Sequence, residues 1–305
     1  MKKFKTPLYE IEYLYKGNIK KIYVKDESMN KTGSIKYRPA KLMFNKAYEE
    51  NVIDKTSKLC EVTSGNMGIA LATLAKEAGN KVTIIMPHHA SIERRKILED
   101  LGAEIILTND FIESFEMCKK LESEGYICLH QFENIYNALS YNELCEELEE
   151  DLCEFSAVVI GVGTGGTLNG IGSYLKNKYK SMVIAVEPAE TLILSTGINH
   201  GPHKIEGMSD GHVPPLYPSS IVDKVISVKS DDAICMARLL KNEFFHGVGI
   251  SSGANFLATV ISEIDGAITV FPDSDEKYFS TDLYNSEIVS ELVDEITLLN
   301  IKRIS

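Results

Sequence analysis

The chain has 305 residues, of which 44% are hydrophobic and 25% are charged, and its formal net charge is -12 at pH 7. This length predicts about two domains with room for a buried core. The negative charge argues against nucleic acid or an anionic membrane as the main partner, because both are bound by clustered lysines and arginines. The N-terminal segment leads into no apolar signal core, and no apolar run is long enough to span a membrane, so we expect a cytoplasmic protein.

Lys36 lies at a predicted junction between a strand and a helix. A strand pattern over 21–25 leads into a polar, turn-forming stretch, and a helix pattern begins at Pro39. Partial burial at this junction, with Arg38 nearby, would favour the neutral amine of Lys36, which could form a Schiff base with a carbonyl. On this segment alone, a solvated surface lysine is the alternative interpretation.

Strand and helix patterns alternate along the rest of the chain, which predicts an α/β fold with parallel sheets covered by helices. The segment 191–219 is too long for a simple connection and indicates a functional loop. The further predicted strands are 58–62, 81–86, 104–107, 126–130, 157–160, 182–186 and 267–271. The predicted helices are 67–77, one capped by Ser91 that runs to 101, 111–123, 140–152, one ending at 178, 231–241 and one beginning at 250.

Three polar, glycine-rich turns, at 63–68, 161–167 and 248–254, each lie between a strand and a helix. Backbone N–H groups and the helix dipole at such turns can bind anions. Because ligands bind at the carboxyl ends of parallel strands, we expect the three turns to converge with Lys36. A tight turn or a helix cap without any ligand is the alternative for each turn taken alone.

The turn at 161–167 also fits the GxGxxG pattern of dinucleotide-binding folds. Glu187 closes the next strand at about the distance expected for a ribose contact. An NAD-dependent dehydrogenase is therefore the alternative from a different class. Against it, Thr164 and Thr167 add hydroxyl donors that suit a terminal phosphate better than a bridging pyrophosphate.

The six cysteines show neither CxxC spacing nor a histidine at zinc-finger distance. The sequence therefore predicts free, mostly buried thiols and no metal site. Cys60, just before the turn that begins at Thr63, is the cysteine nearest to a motif, and its expected role is packing.

In their order along the chain, the segments 6–8, 30–38, 63–68, 91–96, 131–132, 163–167, 201–205, 249–253 and 271–274 resemble those of one enzyme group. The chain is similar to the fold type II pyridoxal-phosphate enzymes, and within them to the cysteine synthase and cystathionine β-synthase family. The resemblance implies pyridoxal 5'-phosphate as cofactor, a homodimer, and two α/β domains with the active site between them. The smaller, mobile domain would be residues 39–142, and residues 1–38 and 143–305 would form the domain that binds the cofactor phosphate.

By position, the resemblance implies that Lys36 holds the cofactor as a Schiff base and moves the Cα proton. Asn66 would contact the ring hydroxyl and Ser251 the pyridine nitrogen. A serine leaves that nitrogen mostly uncharged, which weakens the electron sink and favours loss of a β-substituent to give α-aminoacrylate. The phosphate would be bound by Gly163, Thr164, Gly165, Gly166 and Thr167, and the substrate carboxylate by Thr63, Ser64, Met67 and Gln131.

The chain departs from the family pattern in the loop 207–214, where Asp210 and His212 replace small and apolar residues. Met67 also replaces a common threonine. Sulfide is largely anionic at neutral pH, whereas water needs a base to become a nucleophile. We therefore expect water as the nucleophile, with Asp232 or Asp210 as the base, although Asp232 could simply favour a helix N-terminus.

The sequence thus predicts β-replacement on small L-amino acids such as L-cysteine, O-acetylserine or L-serine. The preferred reaction is L-cysteine plus water giving L-serine and hydrogen sulfide through α-aminoacrylate. The alternative is cysteine synthesis from O-acetyl-L-serine and sulfide, with acetate released. A catalytically inactive scaffold that binds a partner enzyme is a third interpretation, and the sequence leaves the direction of the reaction open.

Overall fold

The computed structural model describes residues 5–63, 65–88, 90–243 and 247–305, which form two main β-sheets with helices packed against them. The strands are β1 (Leu8–Tyr15), β2 (Asn18–Asp26), β3 (Lys58–Val62), β4 (Lys81–Pro87), β5 (Glu104–Thr108), β6 (Ile127–Cys128), β7 (Ala157–Gly161), β8 (Met182–Pro188), β9 (Thr191–Leu192), β10 (Ile198–Asn199), β11 (Lys224–Val228), β12 (Ala267–Phe271) and β13 (Thr297–Arg303). The helices are α1 (Tyr37–Glu49), α2 (Asn66–Ala78), α3 (Ile92–Asp100), α4 (Phe111–Ser123), α5 (Ile135–Leu139), α6 (Asn142–Asp151), α7 (Ser173–Tyr179), α8 (Ser230–Glu243), α9 (Ile250–Ser262), α10 (Asp282–Asn285) and α11 (Glu291–Asp294). A π-helical segment, Leu168–Gly172, leads directly into α7.

The smaller sheet is fully parallel, with the strand order β5-β4-β3-β6. Alternate residues of β3 enter two different apolar clusters: Leu59 packs with α1 and α2, whereas Cys60 and Val62 pack with α4. Because both faces are covered, the central strands β3 and β4 are almost continuously buried. The α/β alternation predicted from the sequence is confirmed in this part of the chain.

The larger sheet has the strand order β11-β8-β7-β12-β2-β1-β13 and is mixed, which differs from the predicted parallel sheet. Its strands from β11 to β2 are parallel, and β1 and β13 are added antiparallel at one edge. The link between β1 and β2 is only Lys16 and Gly17, both with positive φ (49° and 76°). Such a two-residue turn joins antiparallel neighbours, whereas a parallel crossover needs a much longer connection.

Most predicted elements are present, with boundaries that shift by a few residues. Helix α1 begins at Tyr37 rather than Pro39, so Lys36 immediately precedes its first residue. Ser91 does not cap α3 through its side chain; its hydroxyl donates to the carbonyl of Lys277 instead (2.9 Å). Within the described residues, no helix is long and apolar enough to cross a bilayer. The division at residues 39 and 142 stays a prediction.

Candidate active site

A cleft lies where the carboxyl ends of the parallel strands in both sheets approach each other. Thr63 follows β3, Gly163 follows β7, and Pro272 follows β12, while Lys36 enters from the start of α1. This is the position at which parallel α/β folds bind ligands. Of the residues singled out in the sequence, the cleft is lined by Lys36, Thr63, Asn66, Met67, Gln131, Gly163, Thr164, Gly165, Thr167, Asp210 and Ser251.

The Lys36 amine is held in a desolvated position. Burial lowers the pKa of Lys36, and the negative charges of Asp210 and Asp273 act in the opposite direction. Arg38, which we expected to favour the neutral amine, is occupied elsewhere: its guanidinium pairs with Glu27 (2.7 Å) and Glu147 (2.8 Å). Desolvation rather than Arg38 therefore explains the increased share of neutral amine.

A buried ionic network anchors the beginning of α1 below the cleft. Arg38 bridges Glu27 and Glu147, and the fully buried Lys25 donates to Glu147 (2.7 Å) and to the carbonyl of Thr6 (2.7 Å). Buried ions of this kind are tolerated only when they are paired and hydrogen-bonded. The network fixes the junction that carries Lys36. No local sequence pattern indicates it, because Glu147, which pairs with both Lys25 and Arg38, lies more than 100 residues further along the chain.

The turn after β7 can hold a phosphate group. Gly165 adopts a left-handed conformation (φ 84°), and a Cβ at Gly163 would lie only 2.2 Å from the carbonyl oxygen of Gly207. A Cβ at Gly166 would lie 2.2 Å from the side-chain oxygen of Asn137. The glycines therefore permit a tight loop at the N-terminal end of the helical segment that begins at Leu168, where backbone N–H groups and the helix dipole favour an anion.

Asn137, which no sequence pattern singled out, supports the site through two hydrogen bonds. Its side-chain amide donates to the carbonyl of Gln131 (2.8 Å) and to the hydroxyl of Thr164 (3.1 Å). It thus joins the turn after β7 to the segment that carries Gln131. No pattern marked it, because it lies on the short helix α5, which the sequence analysis did not predict.

Asn66 and Ser251 offer polar atoms that fit a ring-shaped ligand. The Asn66 amide nitrogen donates to Asp273 (2.8 Å), which leaves the Asn66 side-chain oxygen buried and without a hydrogen-bond partner among the described residues. A buried acceptor of this kind fits the hydroxyl group of a bound ring. Ser251, in the first turn of α9, is buried in the wall of the same cleft.

The turn after β3 forms one wall of the cleft through Thr63, Asn66 and Met67. The Thr63 hydroxyl accepts from the N–H of Gly65 (3.0 Å), and the Gln131 amide donates to the carbonyl of Val62 (2.5 Å). Met67, at the start of α2, is almost fully buried. Ser64, expected to bind the substrate carboxylate, lies outside the described residues.

Arg94 packs against this turn, although the turn itself, residues 63–68, contains no lysine or arginine. A Cβ at Gly65 would be 2.1 Å from the Arg94 side chain, so the two pack directly together. The Arg94 guanidinium pairs with Glu206, lies 3.8 Å from Asp273 and stacks over the ring of Tyr278 at 4.6 Å. Burial alone would lower the pKa of Arg94, but these negative neighbours and Tyr278 raise it, so the cation persists and ties α3 to the larger sheet.

The two candidate bases occupy different places. Asp210 lines the cleft, and burial raises its pKa from 3.8 to about 7, while the charge of Lys36 acts in the opposite direction. Asp232 lies in the first turn of α8, where it accepts from the Ser290 hydroxyl (2.6 Å), and it is not among the described residues that line the cleft. The ring of His212 packs against Phe132 at 5.9 Å.

Glu187, which the dehydrogenase interpretation assigned to a ribose, is buried and already bonded. Its carboxylate accepts from the N–H of Leu194 (2.8 Å) and from the hydroxyl of Ser195. It braces the segment after β8 instead of facing a ligand. The dinucleotide interpretation therefore loses the acidic residue on which it depended.

Comparisons with known proteins agree on one family. Residues 2–272 match the family model described as "Pyridoxal-phosphate dependent enzyme". The cysteine synthase of Staphylococcus aureus is 36% identical over 295 residues, covering 92% of this chain and 94% of the relative. The crystal structure of a hydrogen sulfide-producing enzyme (Fn1055) from Fusobacterium nucleatum is 39% identical with a TM-score of 0.91, covering 98% of this chain and 96% of that one. An aspartate-to-asparagine mutant of Fn1055, in complex with an alpha-aminoacrylate intermediate, is 38% identical with a TM-score of 0.92 and the same coverage.

Proposed function

This chain belongs to the pyridoxal-phosphate-dependent enzymes, within the cysteine synthase family, and on that basis we propose that it converts L-cysteine and water into L-serine and hydrogen sulfide. The observation that carries the proposal is the placement of Asp210. A carboxyl group whose pKa is raised by burial to about 7 lines the same cleft as Lys36. Water, unlike sulfide, needs such a base.

The residues of the cleft fit the cofactor. Pyridoxal phosphate, when bound, withdraws electrons from the substrate Cα, which permits proton loss there and departure of the β-substituent. Lys36 would hold it through its amine, and the turn 163–167 would bind its phosphate. The unpartnered Asn66 oxygen would accept the ring hydroxyl, and Ser251 would face the ring nitrogen.

Lys36 would also transfer the proton at Cα. Burial lowers its pKa, so the amine released from the cofactor is neutral in a larger fraction of molecules and can accept that proton. Thr63 and Gln131, with Ser64 and Met67 as further candidates, would bind the substrate carboxylate and fix the Cα–H bond relative to this amine. The sulfur then leaves Cβ with its bonding electrons as hydrosulfide.

Asp210 would act in the second half of the reaction. Its carboxylate would take a proton from water as the water oxygen forms a bond to Cβ, and Lys36 would return the proton to Cα to complete L-serine. Fn1055, a hydrogen sulfide-producing enzyme, was crystallised as an aspartate-to-asparagine mutant in complex with an alpha-aminoacrylate intermediate, which supports α-aminoacrylate as the intermediate of the proposed reaction. The choice of Asp210 as the base rests on its position in the cleft. Asp232, bonded to Ser290, has no place in this scheme.

Cysteine synthesis from O-acetyl-L-serine and sulfide is the second candidate, favoured by the similarity to the cysteine synthase of Staphylococcus aureus. Both reactions use the same first half and differ only in the nucleophile that adds to Cβ. The homodimer and the cytoplasmic location stay predictions.

The test is product analysis of the purified holoenzyme with L-cysteine in isotopically labelled water. We expect equal amounts of L-serine and sulfide, with the label in the serine hydroxyl. Pyruvate as the main product, or no reaction with L-cysteine beside rapid cysteine formation from O-acetylserine and sulfide, would contradict the proposal. Asp210→Asn should lose serine formation while keeping the reaction of O-acetylserine with sulfide, and Asp232→Asn should keep both.

A further inference from the structure

Three cysteines that are distant in sequence meet inside the smaller sheet. Cys60 on β3 and Cys128 on β6 are partners in the parallel strand register, and Cys118 approaches them from α4. All three side chains are buried, and their sulfur atoms lie within 4.8 Å of one another. We call these residues the three-cysteine cluster.

The sulfur spacing suits a metal ion. Cys60 and Cys118 are free thiols whose sulfur atoms are 3.9 Å apart. Two sulfurs bound tetrahedrally to one Zn²⁺ at ~2.3 Å would lie about 3.8 Å apart. Cys60 and Cys118 are therefore close to the separation that a shared zinc ion requires, and the Cys128 sulfur lies within 4.8 Å of both.

One oxygen of a buried carboxyl group beside the cluster has no hydrogen-bond partner among the described residues. Glu61 is only 1% exposed; its Oε1 accepts from the N–H of Val62 (3.1 Å) and contacts the Cys128 sulfur (3.7 Å). Its Oε2 is buried and has no hydrogen-bond partner among the described residues. Such an oxygen is costly inside a protein unless a donor or a cation satisfies it. Glu61 has no role in the proposed catalysis.

From the positions of the three sulfur atoms, and from the buried Glu61 carboxyl group that contacts Cys128, we propose that the three-cysteine cluster is a zinc site. Binding forms three Zn–S bonds and releases the three thiol protons to solvent. The backbone N–H of His130 already lies 3.4 Å from the Cys128 sulfur, and hydrogen bonds of this kind stabilise a coordinated thiolate. Three cysteine thiolates form a soft ligand set that suits zinc.

The proposed zinc site is adjacent in sequence to two residues assigned to the substrate carboxylate, Thr63 and Gln131. Glu61 precedes Thr63 by two residues along the chain, and Gln131 follows Cys128 by three. Gln131 also donates to the carbonyl of Val62, the residue between Glu61 and Thr63. Zinc would therefore cross-link β3, β6 and α4 and fix both carboxylate-binding positions from behind.

The experiment is equilibrium dialysis of chelator-treated holoenzyme against Zn²⁺, without L-cysteine or sulfide, which would themselves bind zinc. We expect about one zinc per chain, reduced to less than about 0.2 in Cys118→Ser and in Cys128→Ser. Cys153→Ser is the matched control, because Cys153 is exposed and outside the cluster, and it should keep the wild-type amount. Cofactor absorbance of each variant verifies that it is folded and loaded.

Wild-type protein that holds less than about 0.2 zinc per chain would overturn the proposal, whatever the variants do. Zinc retained equally by the wild type and a folded Cys118→Ser variant would overturn it as well, since the metal would then be bound elsewhere, for example by the cofactor phosphate. If a variant fails to fold, the zinc content of the wild-type protein alone tests the proposal. Zinc should raise its melting temperature, and no rise at saturating zinc would refute the site.

Discussion

Replacing Asp210 with asparagine should remove the pH dependence of water addition. Burial raises the pKa of Asp210 to about 7, and Lys36 is the charged group that opposes this shift. With that pKa, about one tenth of the carboxyl groups are ionised at pH 6 and about nine tenths at pH 8. The rate of L-serine formation at saturating L-cysteine should therefore rise about ninefold across this range if Asp210 is the base.

The assay follows serine release at closely spaced pH values, together with exchange of the substrate Cα proton for solvent deuterium. Exchange depends on Lys36 but needs no water addition, so the ratio of the two rates isolates Asp210 from the titration of the amine. An aspartate with its ordinary pKa of 3.8 would be ionised throughout and would give a flat ratio. A flat wild-type ratio, or an Asp210→Asn variant that keeps the wild-type slope and rate, would refute the reasoning.

Thermal unfolding gives an independent check on the raised pKa. The folded protein holds the Asp210 proton more tightly than the unfolded chain does, so ionisation of Asp210 lowers stability as the pH rises from 3.8 to about 7. Asparagine cannot ionise. The melting temperature of the variant relative to the wild type should therefore increase between these two pH values and then level off.

Two further predictions concern the glycine-rich turn 163–167 and the buried ionic network that includes Lys25 and Glu147. Gly163→Ala would place a Cβ 2.2 Å from the carbonyl oxygen of Gly207. The affinity for the cofactor, measured from the absorbance of the bound cofactor, should therefore fall at least about tenfold. A variant with wild-type affinity would show that the loop can accommodate the added methyl group. Glu147→Gln leaves the buried Lys25 without its carboxylate and should lower the free energy of unfolding in urea by about 3 kcal/mol. Glu149→Gln, which removes a surface ion pair, should cost less than about 1 kcal/mol, and equal losses in the two variants would contradict the role of burial.

The sequence by itself determined the α/β alternation, the position of Lys36 at a strand-to-helix junction and the glycine-rich turns. These features follow from local physics: side-chain periodicity, the conformational freedom of glycine, and the start of a helix after a strand. Predicted strands 58–62 and 267–271 and the predicted helix 111–123 match the structure for this reason. The resemblance then supplied the family, which the comparisons confirm.

Only the tertiary structure separated Asp210 from Asp232, two aspartates that sequence alone could not rank as bases. The first lines the cleft beside Lys36, and the second pairs with Ser290. Burial, and with it the pKa, depends on what packs around a side chain, and in Asp210 those neighbours come from distant parts of the chain.

The same physical reason explains the residues that the sequence left unmarked. Arg94 reaches Asp273 across 179 positions of the chain, and the three cysteines of the cluster come from two strands and a helix without any metal-binding spacing. The periodicity of apolar side chains indicates local structure within one helix or strand, whereas a cleft or a metal site is formed by contacts between separate helices and strands. Those contacts exist only once the sheets have formed and the helices have packed on them.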